Sequence, residues 1–328
     1  MKKILVLILA IQLFLLASCV SQNTEMPDVN LLIYSNSENI DAYRISVSEG
    51  ELVKDSEKLY SYRKEGQSIE DAFPLKYGLN SVVLKKTPYN INVDNYYVDD
   101  TNGSALYYDN YCIVNRDSTW TLADANNEIG IINLEYNNVM HNPVSFSIVD
   151  DRLMMLCVTS AYVTDIELVV ITYDLNTDLR MPIDYKVFED VWANNDISQI
   201  NCPNRYNVVA TDDSFLYNEG QRIFEIPYET KDFRKIADED TAKTHIPYFD
   251  SQRESYAFFN DCGKQNGIYI VSFSAFNRAP GTYVEFISSD GELLYYMHIT
   301  QSSIVLYDNE SNVISELQGD YMTHVTIS

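Results

Sequence analysis

Val149-Asp150-Asp151 closes one apolar stretch; Leu153–Val158 and Glu167–Tyr173 follow, and then comes Asp174-Leu175-Asn176-Thr177-Asp178-Leu179. Short apolar runs between acid-rich turns read as strands, because Asp and Asn side chains bond the backbone amides that follow them and favour turns. Both landmarks recur. Candidate strands end in Asp-Asp at Val98-Asp99-Asp100, at Val149-Asp150-Asp151 and at Thr211-Asp212-Asp213. The turn Asp-x-Asn-x-acid-aliphatic stands at Asp124-Ala125-Asn126-Asn127-Glu128-Ile129 and again at Asp174–Leu179. A relaxed copy is Asp308-Asn309-Glu310-Ser311-Asn312-Val313, and a degraded one is Tyr228-Glu229-Thr230-Lys231-Asp232-Phe233. The first landmark repeats after 150 − 99 = 51 residues and the second after 174 − 124 = 50. Two landmarks that keep their phase argue for a repeated supersecondary unit.

Working outward, short strands continue on both sides, among them Leu31–Tyr34, Val82–Leu84, Ile268–Phe273, Tyr283–Ile287 and Leu293–Ile299. Turn signals stand at Glu49-Gly50, Glu219-Gly220 and Asp290-Gly291, the last with the pattern of a hairpin. The chain has 26 Tyr and few long helical runs, and Tyr and β-branched residues suit a pleated, half-buried surface. An all-β unit of this length reads as one blade of a β-propeller, because a blade buries its faces only by stacking on its neighbours. The expectation is an all-β chain with a β-propeller of about six or seven four-stranded blades over residues 30–328. The pattern resembles β-propeller lipoproteins of the bacterial envelope, without Gly-His…Trp-Asp pairs or kelch double glycines. A pair of β-sandwiches is the rival architecture. Tyr62–Leu79 and Tyr185–Gln199 break the rhythm and read as loops or short helices inserted between strands.

At the N-terminus Met1-Lys2-Lys3 precedes an apolar run from Ile4 to Leu16, shorter than the ~18 residues of a spanning helix and suited to a signal peptide. Leu16-Ala17-Ser18-Cys19 follows. It resembles the lipobox of bacterial lipoproteins, which implies cleavage after residue 18 and acyl chains on Cys19. Residues 1–18 are then the signal peptide, 19–29 a polar tether and 30–328 the folded domain. The location implied is the extracytoplasmic side of a bacterial membrane, held there by lipid.

Removing residues 1–18 leaves 23 − 2 = 21 basic residues against 48 acidic, a formal charge of −27. Nucleic-acid binding needs a basic footprint and is excluded. Cationic partners or a solvated acidic surface fit instead. Beyond Cys19 stand Cys112, Cys157, Cys202 and Cys262, none in a CxxC pair. Cys112 and Cys157 sit in apolar strands and read as inert buried thiols. Cys202 and Cys262 read as loop residues able to pair in an oxidising compartment.

His141, His245, His298 and His324 form no HxH or HExxH motif, and no GxSxG, P-loop or GxGxxG is present. His298 and His324 fall in strands and read as structural. Asp100-Thr101-Asn102-Gly103 with Asp109 matches a calcium loop poorly, since Val98 would stand at the first ligand position. No catalytic residue, metal or cofactor is expected. The reading is a lipid-anchored binding or scaffolding protein that recruits an envelope protein, peptide or glycan. The alternative is a propeller-type hydrolase of glycan or peptide, using a carboxylate pair.

Overall fold

The computed structural model describes residues 28–63, 105–159, 167–188, 203, 207–242, 257–275 and 281–327, apart from a few single residues and pairs within those stretches. Among the described residues every element is a strand, and helical geometry appears only at Asp240 and Ala242. No helix among them is long and apolar enough to cross a membrane. The protein is all-β, as the alternating apolar and turn pattern requires.

The strands form five antiparallel sheets. Sheet I holds β1 (Val29–Asn36), β2 (Asn39–Ser48), β3 (Glu51–Lys54) and β4 (Tyr60–Arg63), the last pairing with β2. Sheet II is the meander β5 (Ala105–Tyr108), β6 (Tyr111–Arg116), β7 (Thr119–Asp124) and β8 (Glu128–Ile132). Sheet III runs β9 (Glu135–Tyr136), β10 (Val139–Val149), β11 (Arg152–Thr159), β12 (Leu168–Asp174) and β13 (Asp184–Phe188). Sheet IV is β14 (Val208–Ala210), β15 (Ser214–Asn218), β16 (Arg222–Pro227) and β17 (Arg234–Asp238). Sheet V has six strands: β18 (Ala257–Gln265), β19 (Ile268–Ala275), β20 (Thr282–Ile287), β21 (Leu293–Ile299), β22 (Ser303–Asp308) and β23 (Val313–Gln318). The last strand, β24 (Tyr321–Ile327), returns to pair with β1 and completes sheet I.

The sheets stack in the series II, III, IV, V, I, with an apolar core at each contact. Leu106, Ile113 and Leu122 of sheet II meet Leu153, Met155 and Val169 of sheet III. The other face of sheet III packs Met154, Leu156 and Val170 on Phe215, Tyr217 and Phe224 of sheet IV. Leu216 and Ile223 of sheet IV meet Tyr269, Val271 and Phe273 of sheet V. Ile270, Val284 and Phe286 of sheet V meet Leu31, Ile33 and Val47 of sheet I. Strand β12 is therefore covered on both faces, which is why Leu168–Tyr173 reads as a continuous apolar run with no polar alternation.

The phased acidic landmarks have a physical basis. Asp150 and Asp151 form the two-residue turn from β10 to β11, both with positive φ (49° and 59°), as such hairpins require. Asp174 ends β12 beside that turn, and the Leu175 amide donates to the Asp151 carbonyl at 2.8 Å. In sheet IV the Tyr228 amide donates to the Asp213 carbonyl at 3.0 Å. Sheets III and IV thus each set their two landmarks side by side at one end of the sheet. Asp124 leads from the third to the fourth strand of sheet II and Asp174 from the fourth to the fifth of sheet III, so each joins the last two strands of its sheet. Asp308 does the same between the fifth and sixth strands of sheet V, although that sheet is longer. Asp99, Asp100 and Val82–Leu84 lie outside the described residues.

Three further expectations change. Val29, assigned to the tether, is fully buried and begins β1, so the folded part starts one residue earlier. Tyr185, the start of a supposed insertion, lies in β13; residues 189–199 of that stretch lie outside the described residues, as does all of Tyr62–Leu79 beyond β4. Cys262 is no loop residue. It is buried in β18 at a register shift, because Asp261 turns its carboxylate back to bond the Cys262 amide (3.0 Å) and the Ile327 amide of β24 (3.0 Å). Cys112, Cys157 and Cys262 are all buried thiols.

Candidate functional site

The densest charge in the described structure lies at the contact of sheets IV and V. Glu225 on β16, almost fully buried, collects four donors. Ser214 Oγ (3.0 Å), Tyr269 Oη (2.8 Å) and Lys264 Nζ (3.0 Å) reach its Oε1, and Arg234 Nε reaches its Oε2 at 2.5 Å. Lys264 also bonds Asp213 Oδ2 at 2.6 Å, and Arg234 bonds the Tyr269 hydroxyl and the Ser289 carbonyl. Burial alone would push the Glu225 carboxyl up, but hydrogen bonds from Tyr269, Lys264 and Arg234 outweigh it and hold the group below its ordinary value. Burial likewise works against the charge on Lys264, and its bonds to Asp213 and Glu225 raise it above the ordinary amine value. Two cations and two carboxylates therefore stay ionised and engaged with each other. A carboxylate held below its ordinary value by four donors is a weaker general base, and the arrangement acts as a clamp between sheets.

A second feature lies on the outer wall where sheets II and III meet. Tyr136, Val139 and Met140 in the β9–β10 hairpin are exposed, Met140 by 53%. Met181, 69% exposed, and Ile183, 54% exposed, stand on the segment entering β13. The two groups are tied together by Tyr185. Its ring stacks on Tyr136 with centroids 4.3 Å apart, and its hydroxyl bonds His141 Nε2 at 2.7 Å. His141 is fully buried, and its Nδ1 donates to the Leu134 carbonyl at 3.0 Å, which leaves Nε2 to accept from Tyr185. The scaffold under the apolar side chains is thereby fixed. Burial, and after it the charge of Glu167, raises the Tyr185 hydroxyl above its ordinary value, so it stays protonated as that donor. Glu135, Asp178, Arg180 and Asp184 are exposed around this area, with Asp178 paired to Arg180 (3.2 Å) and Asp184 to Lys186 (2.8 Å).

The third is His298 on β21. Its ring lies flat on Tyr283 (centroids 4.4 Å, 2° between planes), and its buried Nε2 has no hydrogen-bond partner among the described residues. Gly281 permits this: a Cβ there would stand 2.5 Å from the Ile299 carbonyl oxygen and 2.6 Å from that Nε2. Burial lowers the His298 pKa, so the ring is neutral at pH 7.

The sequence marked His141 and His298 only as histidines outside any motif, and the structure gives each a packed role. His324 lies in β24. Cys19, Cys202, His245 and the Asp100–Asp109 loop lie outside the described residues. Among the described residues no group of His, Cys, Asp and Glu has the arrangement of a metal site. Sequence reasoning missed Glu225, Arg234 and Lys264, which come from the three consecutive strands β16, β17 and β18 and meet only across a sheet contact. It also missed the exposed apolar set, whose members look like ordinary strand residues. The signal that was available is the Met181 and Ile183 pair in a segment otherwise made of turn residues.

No protein family matches the chain, and no curated protein does. Among solved structures, periplasmic gluconolactonase PpgL of Pseudomonas aeruginosa is 8% identical, with 91% of this chain and 98% of that one covered and a TM-score of 0.37. Cobalt-substituted Synechocystis ACO is 9% identical over 66% of this chain, with a TM-score of 0.29. The extracellular domain of a one-component system protein of B. thetaiotaomicron is 11% identical over 87%, also with a TM-score of 0.29. This chain spans 58% of the second and 33% of the third. All three scores are low, and the likenesses carry no argument about what the chain does.

Proposed function

We propose that this chain is a lipid-anchored, extracytoplasmic binding or scaffolding protein of the bacterial envelope. Its architecture would be a β-propeller of six or seven blades, with the five described sheets among them. The return of β24 to β1 supports closure of a ring in which the chain's two ends share one blade. The observation that carries the binding reading is the exposed group Tyr136, Val139, Met140, Met181 and Ile183. Single exposed apolar residues need no explanation, but several in one place on a rigid support mark an interaction surface.

The anchor is tested by mass spectrometry of the N-terminal peptide, which should begin at an acylated Cys19. A lipid-free N-terminus elsewhere would remove the anchor from this reading. The binding role is tested by cross-linking in intact cells followed by purification of the adducts. A specific envelope partner supports it. Turnover of a defined glycan or peptide by the purified protein, abolished by one carboxylate substitution, would replace it with hydrolysis.

A further inference from the structure

We infer that the apolar wall at the contact of sheets II and III receives a protein segment carrying large apolar side chains flanked by Lys or Arg. This inference deepens the binding reading and rests on it. The argument begins with shape and composition. Met181 and Ile183 are the most exposed apolar residues of the group, and the unbranched thioether of Met181 adapts to many partners. Tyr185, two residues after Ile183, is held by its stack on Tyr136 and its bond to buried His141, so the partner meets a preorganised support.

Charge then selects the occupant. Around the wall, Arg180 and Lys186 are already matched by Asp178 and Asp184. Glu135 is exposed beside Tyr136, and Glu167 is close enough to Tyr185 for its charge to act on that hydroxyl. Neither has an ion pair among the described residues. Lys231 also acts on Asp184, and with it the carboxylates Glu135, Glu167, Asp178 and Asp184 face three cations, so the charge among the described residues of the rim stays negative. The chain as a whole carries −25, so a second copy would bring like charge to the same place. An anionic lipid surface would do the same. A basic segment removes the repulsion and gains from both rim carboxylates.

The test uses the full chain and two labelled peptides. One alternates leucine with lysine, the other leucine with glutamate. The lysine peptide should bind and weaken as salt rises; the glutamate peptide should not bind. Met181→Ser with Ile183→Ser, both exposed and so compatible with folding, should weaken the lysine peptide by about tenfold or more. Glu135→Gln with Glu167→Gln should weaken it less and flatten the salt dependence. Equal binding of both peptides, or no change in the Met181 and Ile183 variant, overturns the inference.

In cells, a photo-cross-linking residue at position 181 should capture a protein through a segment with Lys or Arg beside its apolar residues. Capture of a second copy, of lipid, of an acidic segment or of nothing overturns it. A parallel probe at exposed Val313, on sheet V and away from the contact of sheets II and III, separates the two readings. An adduct there with none at 181 leaves the binding role standing and moves it off this wall. Silence at both positions removes the binding role as well.

Discussion

At the scale of single residues, buried charge decides most. Glu225 was invisible in sequence because its partners Ser214, Arg234, Lys264 and Tyr269 approach from four other strands; only folding brings them within 3.0 Å. Glu225→Gln leaves Lys264 buried with one carboxylate in place of two. It should cost about 3 kcal/mol in urea unfolding, as breaking a buried pair does. Glu225 and Asp213 both have folded-state values below their unfolded ones. Their stabilisation is present above the unfolded carboxylate pKa of about 4 and is lost as pH falls through the folded values. His298 acts in a higher window. Its folded pKa lies below the unfolded value of about 6.5, so its contribution is complete above that pH and declines as pH falls below it. His298→Phe keeps a flat ring on Tyr283. In this variant the decline in unfolding free energy between pH 7 and pH 5 should be smaller than in the parent; an unchanged decline would assign it to other groups.

At the scale of elements, turns were the legible part. Asp174 Oδ1 accepts from the Asn176 amide (2.9 Å) and Asp124 Oδ1 from the Asn127 amide (2.7 Å), each holding one hairpin. Asp308 accepts from the Glu310 and Asn312 amides and from the Asn312 side chain. Replacing each aspartate by alanine should destabilise by about 1 kcal/mol where one such bond is lost, and by more for Asp308. Chemical denaturation of the three variants checks the order. The repeat was readable because its two landmarks touch, through Leu175 and Asp151 in sheet III and through Tyr228 and Asp213 in sheet IV. The six-stranded length of sheet V was not readable. β21, β22 and β23 carry the same alternation as any meander, and nothing local states where one sheet stops and the next begins. Cys262 misled for a related reason. Asn-Asp-Cys-Gly is turn chemistry, yet here Asp261 spends its carboxylate on a strand irregularity and on β24.

At the scale of the whole molecule, the two chain ends meet in sheet I. β24 supplies Tyr321, Val325 and Ile327 to the core between sheets V and I, and it covers the edge of β1. Three large buried side chains at about 1.5–3 kcal/mol each approach the 5–15 kcal/mol net stability of an ordinary domain. A chain ending before Tyr321 should therefore lose its near-ultraviolet dichroism and become protease-sensitive throughout; a native spectrum would show that β24 is dispensable. The start of the fold is pinned as firmly. Gln265 exchanges two 2.9 Å bonds with the Asn30 backbone, and Asn266 Nδ2 holds the Asp28 carbonyl at 2.8 Å. The chain upstream thus leaves beside the β18–β19 turn, at the end of the stack that carries the short acidic hairpins. Were Cys19 to carry the proposed acyl chains, the sequence from there to Asp28 could reach at most roughly 30 Å. A reach that short would turn a three-dimensional search into a patrol: the body would sweep a shallow dome above its mooring, and anything else moored within that radius would be met at a local concentration on the order of millimolar.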